Sequence, residues 1–274
     1  MIQSLSSRVH GQHLVQDVVM PAIISHFQDP QPNKALVISL QGETGTGKNF
    51  VSQLVAEAVF KKGLTSKYIR KFIASVDFKL MNETDIYKVE LADKIRESVM
   101  ACERSMFIFD EVHMMAPELL NALKPFVDSH TEIHGVDYRK ATFLFLSNAG
   151  TTAIRKFVLD WLTAGKQRAD ITLEDMEGRV AAGAFEEKGG LKNSDLIKHA
   201  LVDLFVPFLP MERKHIELCA RDALASKGVI PDPAIIKRVA DTKVYEPQDN
   251  PVFATQGCRN VAAKVNVSSP VNPV

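Results

Sequence analysis

No stretch of about 18 consecutive apolar residues occurs in the chain, so it holds no candidate membrane-spanning helix. Cysteine is scarce: Cys102, Cys219 and Cys258 are the three among 274 residues. That is too few for a disulfide scaffold, and buried free thiols are the simple expectation. Neither sign of charge dominates, with Lys plus Arg and Asp plus Glu at 33 each. Non-specific nucleic-acid binding needs surplus positive charge, so the balance argues against a nucleic-acid partner. No internal repeat and no low-complexity segment is present. The opening Met1-Ile2-Gln3-Ser4 lacks the apolar stretch of a secretory signal. Taken alone, this predicts a cytosolic protein.

What the chain does have is apolar material, 46% of its residues, enough for a packed core. The length suits one large domain plus a small one. Short apolar runs alternate with helical periodicity between residues 35 and 148, the pattern of an α/β parallel sheet covered on both faces. Strands are expected at 35–40, 71–74, 106–109 and 141–146, with helices after Gly47, over about 85–104 and after Pro117. Cys102 falls on the apolar face of the second of these helices and reads as core. Beyond residue 150 the strands are expected to stop. Helices are expected over about 151–163, 173–186 and 194–205, the last packing Leu196, Ile197, Ala200, Leu201 and Leu204. Residues 1–210 would form the large domain and 211–267 a small, mostly helical one with an irregular stretch at 245–256. A frayed tail is expected over 268–274.

Gly42-Glu43-Thr44-Gly45-Thr46-Gly47-Lys48 fits the phosphate-loop pattern G-x-x-x-x-G-K. It lies between a buried strand and an amphipathic helix, the context that gives the pattern meaning. Glycines let the backbone wrap with its N–H groups inward, and the helix N-terminus adds positive potential. Lys48 would reach the outer phosphates. The next position usually carries a hydroxyl that ligates Mg²⁺, but here it is Asn49, an amide oxygen of different reach. Met106-Phe107-Ile108-Phe109-Asp110-Glu111 is an apolar strand ending in two carboxylates. Asp110 would hold the metal, directly or through water, and Glu111 would polarise the attacking water. A third apolar strand ends in Ser147-Asn148, and Asn148 would orient water near the γ-phosphate. His113 reads as a surface or supporting residue rather than a ligand, and Arg213-Lys214-His215 as a solvated helix face.

These motifs in this order resemble the torsins, a branch of the AAA+ ATPases related to the Clp disaggregases. The resemblance runs from about Val9 to Lys264. It includes Gly11-Gln12-His13-Leu14, Gly45-Thr46-Gly47-Lys48-Asn49-Phe50-Val51-Ser52, Phe107-Ile108-Phe109-Asp110-Glu111 and Leu146-Ser147-Asn148-Ala149-Gly150. Phe205-Val206-Pro207-Phe208-Leu209-Pro210 and Gly257-Cys258-Arg259 complete it. Asn at position 49 is itself a torsin trait.

The resemblance implies a three-layer AAA+ domain with a parallel sheet and a small C-terminal helical domain. It implies ATP and Mg²⁺ as cofactors, with Phe50 and Arg259 joining the loop in nucleotide binding and Arg259 as a second sensor. It implies residence in the lumen of the endoplasmic reticulum and nuclear envelope. There such ATPases are weak alone, are activated by a membrane-anchored partner that supplies an arginine, and remodel protein complexes. Related Clp proteins carry that arginine just after Phe-x-Pro-x-Phe-Leu; here none follows until Arg213, and Arg155 is a further candidate. Cys219 and Cys258 would pair in a redox-sensitive disulfide, whose loop of about 40 residues implies roughly 4 kcal/mol as an upper figure. Asn82-Glu83-Thr84 and Asn266-Val267-Ser268 fit the glycosylation sequon, and Asn82 suits a lumenal setting. The protein substrate and any homo-oligomer stay open. Two alternatives also stay open: an ATP-dependent binding protein with negligible turnover, and an autonomous Clp-type unfoldase.

Overall fold

The structure is a computed structural model that describes residues 8–186, 191–192 and 194–268. Residues 1–7 and 269–274 lie outside the described residues, and with them the Met1-Ile2-Gln3-Ser4 opening and nearly all of the expected tail. A π-helical turn, Val15–Val19, runs into α1 (Met20–Gln28). Then follow β1 (Leu36–Gly42), α2 (Lys48–Val59), β2 (Ile69–Ile73), α3 (Thr84–Ala101) and β3 (Met106–Asp110). Next come α4 (Pro117–Asn121), β4 (Thr142–Ser147), α5 (Thr151–Thr163), α6 (Leu173–Glu186) and β5 (Leu204–Phe208). The chain ends with α7 (Arg213–Ala225), α8 (Pro233–Asp241), the strands β6 (Tyr245–Glu246) and β7 (Phe253–Ala254), and α9 (Val261–Ser268).

Five strands form one parallel sheet in the order β2-β3-β4-β1-β5. β1, β3 and β4 are buried along nearly their whole length, which is why they read as unbroken apolar runs rather than alternating ones. Aromatic rings hold adjacent strands in register: Phe107 stacks on Phe143 and Phe72 on Phe109, each at 5.0 Å between centroids. Phe109 meets Phe145 edge-on at 5.5 Å. A second apolar cluster, drawn from Met211 onward, joins Ile216, Ala220, Leu224, Val239, Val261 and Val265. It is the core of the C-terminal helices. Among the described residues no helix is long and apolar enough to cross a membrane.

Several expectations are corrected. Strands do not stop at residue 150, because β5 joins the sheet beside β1. The helix expected over about 194–205 is one turn, Asp195–Lys198, and Leu204 begins a strand. Pro207 hid it: proline cannot donate to a ladder, yet it is tolerated at a sheet edge, which is where β5 lies. The stretch at 245–256 contains the short hairpin β6–β7. Cys102 follows α3 rather than lying on its face, and it is only half-buried.

Nor is His215 on a solvated face. It is 5% exposed, and its Nδ1 accepts the Glu212 N–H at 3.1 Å, closing a capping box at the start of α7. Burial, with Arg168, Lys214 and His10 adding like charge, pushes its pKa down to about 3. The native pKa thus lies below that of the unfolded chain. The unfolded chain binds the extra proton, so stability falls as pH drops below about 6.5. This one residue is expected to cost about 2 kcal/mol by pH 5. Thermal melts from pH 7 to pH 5 should therefore fall more steeply for the wild type than for His215→Gln; parallel slopes would refute the assignment.

Candidate functional site

The site is built where β1, β3 and β4 end. β1 stops at Gly42 and α2 starts at Lys48, with the loop between. Two of its glycines have no substitute. At Gly42 (φ +150°) a Cβ would lie 2.6 Å from the Phe208 carbonyl oxygen, and at Gly45 (φ +80°) it would lie 2.1 Å from that of Gln256. The loop is held from below by Gln12, 2% exposed. Its Nε2 donates to the Thr46 carbonyl (3.2 Å) and the Leu209 carbonyl (2.9 Å), while its Oε1 accepts the Leu209 N–H (2.8 Å). The Thr46 hydroxyl donates to the Glu43 carbonyl at 2.7 Å.

Lys48 turns back over this loop. Its Nζ donates to the carbonyls of Gly42 (2.6 Å) and Glu43 (2.9 Å) and to Asn148 Oδ1 (3.0 Å). Burial pushes its pKa down to about 8, against the pull of Asp110 and Glu43. Asn148, just past β4, also approaches Thr44 Oγ1 with Nδ2 at 3.5 Å. Its backbone N–H donates to His113 Nδ1 at 3.3 Å. His113 thus supports Asn148, and burial keeps its imidazole below the usual pKa.

On β3, Asp110 and Glu111 part company. Glu111 has φ +59°, a left-handed conformation that turns its side chain away from the strand direction. Its carboxylate accepts a short hydrogen bond from the Ser75 hydroxyl. Asp110 Oδ2 pairs with Lys71 Nζ at 3.0 Å, and the same ammonium lies 3.4 Å from Asn49 Oδ1. Asp110 and Asn49 are hard oxygen donors of the kind Mg²⁺ takes. Among the described residues no group of three or more His, Cys, Asp or Glu could hold a metal unaided. Two protein oxygens nonetheless fit an ion that arrives with a nucleotide's phosphates.

A cleft of about 690 Å³ opens above these residues, within the range of small-ligand sites. Thr44 to Phe50, Asp110, Glu111 and Asn148 line one side. Arg259, exposed at the surface, lines the other together with Cys219 and Cys258. Cys219 and Cys258 are bonded to each other. The Cys258 N–H donates to the Gly45 carbonyl at 2.9 Å, so the disulfide ties α7 to a residue that grips the phosphate loop. The two arginines considered as fingers are already engaged. Arg155 contacts Glu43 (3.4 Å) and Glu246 (3.1 Å), and Arg213 pairs with Glu217 (3.1 Å) and Asp241. Asn82 and Asn266 are exposed, Asn82 ahead of α3 and Asn266 within α9.

Residues 1–109 match the family model "Torsin", and residues 211–267 match "Torsin-1A, C-terminal domain". A Torsin-like protein of Caenorhabditis elegans is 38% identical over 266 residues, 96% of this chain and 75% of that protein. Torsin-3A of Homo sapiens is 39% identical over 264 residues, 96% of this chain and 66% of that protein. The chain belongs to the torsin family. Among solved structures, the ADP complex of S. cerevisiae Hsp104 superposes with a TM-score of 0.65 at 17% identity, covering 97% of this chain and 46% of that one. A closed state of Hsp104 with ATPγS and FITC-casein gives 0.62 at 16% identity, covering 97% and 45%. Those likenesses establish the AAA+ fold, here in a chain under half the length of the Hsp104 chains.

For this torsin, sequence reading missed three supports of the site. Gln12 was noticed only as part of a motif, although a glutamine between glycine and histidine ahead of the core carried no chemical signal of its own. Ser75 and Lys71 lie on or just after an edge strand, and only the fold brings them to Glu111 and Asp110.

Lys48 yields a direct test. An ammonium of pKa about 8 is half-charged at pH 8 and becomes fully charged against phosphates. Nucleotide binding at pH 8 should therefore take up about half a proton. Calorimetry in two buffers of different ionisation heat measures this uptake. Lys48→Arg, charged at every working pH, should show none of it; equal uptake in both proteins would assign the proton elsewhere.

Proposed function

We propose that the chain binds ATP with Mg²⁺ in this cleft and hydrolyses it slowly until a partner completes the site. The carrying observation is the convergence of Lys48, Asp110, Glu111 and Asn148 at the C-terminal ends of three adjacent strands, where open α/β sheets bind ligands. Loop N–H groups and Lys48 bind the phosphates. Asp110 and Asn49 would hold the metal, which when bound would supply positive charge against the phosphates. Glu111 accepts a proton from the attacking water, and Asn148 orients that water. Arg259 adds positive charge from the small domain.

What this torsin lacks is a free arginine in the finger position. Leu209-Pro210-Met211-Glu212 carries none, Arg155 pairs with Glu43 and Glu246, and Arg213 pairs with Glu217 and Asp241 at the surface. An arginine supplied in trans is worth about 10³ to 10⁵ in rate. The reading is accordingly an ATPase activated by a membrane-anchored partner, remodelling protein complexes in the lumen of the endoplasmic reticulum and nuclear envelope. The closed Cys219–Cys258 bond supports such an oxidising compartment. A second reading, a nucleotide-dependent binding protein with negligible turnover, is favoured by the Lys71 contact to both Asp110 and Asn49.

Single-turnover hydrolysis with and without the activator's lumenal domain separates the two. Stimulation of about 10³-fold or more is expected for the first, and none for the second. Glu111→Gln should keep ATP affinity while hydrolysis falls by about 10² or more. Unchanged hydrolysis would remove Glu111 from its role.

A further inference from the structure

Among the described residues β2 is an edge strand, paired with β3 alone. A lysine on such a strand ordinarily points into water and discourages edge pairing. Lys71 does not. It stands opposite Ile108, on the same face as Asp110 two residues further along β3. Its ammonium lies 3.0 Å from Asp110 Oδ2 and 3.4 Å from Asn49 Oδ1. Those are the two protein oxygens that suit the nucleotide's metal. The Asp110 side chain is 14% exposed and that of Lys71 33%, so water screens the pair only in part.

From this placement we infer that Lys71 is a built-in cation that competes with the divalent ion for Asp110 and Asn49, and so sets how strongly nucleotide binding depends on Mg²⁺. The inference rests on the nucleotide reading of the cleft. Without metal, the ammonium neutralises a carboxylate that would otherwise repel the phosphates. A metal ion would compete with Lys71 for this carboxylate, whose Oδ2 holds the ammonium and whose Oδ1 accepts the Glu111 N–H at 3.0 Å. Both effects flatten the response to Mg²⁺. A protein without this charge binds metal-free nucleotide more weakly and metal-nucleotide more tightly.

The measured quantity is the ratio of affinities for a fluorescent ATP analogue in MgCl₂ and in EDTA. Lys71→Met keeps most of the aliphatic stem on a partly exposed edge position. It is expected to raise that ratio about tenfold over the wild type. Lys71→Gln is a second neutral variant with the same expectation should the methionine protein fail to fold. Lys71→Arg keeps the charge and should hold the wild-type ratio. A neutral variant with an unchanged or lower ratio overturns the inference. So does an arginine variant whose ratio rises with the neutral ones, because the charge would then not be the cause. If the wild-type protein binds no analogue in either buffer, the nucleotide reading itself fails and this inference falls with it. Failure in the mutants alone leaves that reading standing.

Discussion

One half-buried ammonium at the floor of the cleft sets the geometry of this site. A charge removed from water must meet oxygen, and Lys48 meets three. Two belong to the loop that precedes it, so the side chain closes the turn from which it grows. The third belongs to Asn148, and the sheet places it there: β1 runs parallel to β4 with Gln41 opposite Ser147, one residue short of Asn148. β3 flanks β4 on its other side and delivers Asp110 and Glu111 at the same level. Strand order is thus what turns separate motifs into a single cleft.

The small domain is coupled to that cleft through the phosphate loop itself. The Cys258 N–H reaches the Gly45 carbonyl, and Gly257 lies so close that a Cβ would sit 2.4 Å from the same oxygen. Arg155 joins loop residue Glu43 to Glu246 of the hairpin. Gln12 fastens the loop to the end of β5, where the C-terminal domain begins. The C-terminal part of the chain therefore touches the loop at two points, through Cys258 and through Glu246 by way of Arg155. The disulfide joins α7 to the residue making the first of these contacts.

Much of this was legible in the sequence, for physical reasons that can be named. Strands buried on both faces show as unbroken apolar runs, and β1, β3 and β4 are such strands. The phosphate loop is legible because its function constrains backbone conformation, and glycine is the visible trace of that constraint. β5 was not legible. Its helix-like spacing from Leu196 to Leu204 and its proline both pointed away from a strand, and only the free edge beside β1 favours one. Lys71, Ser75 and His215 escaped for a different reason. Their roles depend on partners 22 to 39 residues distant, as for Lys71 and Ser75, or on burial that a run of charged neighbours disguises, as for His215. His215 sits between Lys214 and Ile216 on a helix, and it is the packing of Gly11 against its ring that makes it a core residue.

The lysines and arginines around the cleft already have partners of their own. Lys48 and Lys71 already hold oxygen partners: backbone carbonyls and an amide for one, a carboxylate and an amide for the other. An anionic nucleotide with its metal therefore exchanges existing contacts for new ones, and only the difference appears as binding or catalysis. The same holds for Arg155 and Arg213, whose guanidinium groups would have to leave internal carboxylates before reaching a phosphate. An arginine brought by another protein breaks no bond within this chain. Its charge would meet the negative charge of a bound γ-phosphate without first leaving a carboxylate of this chain.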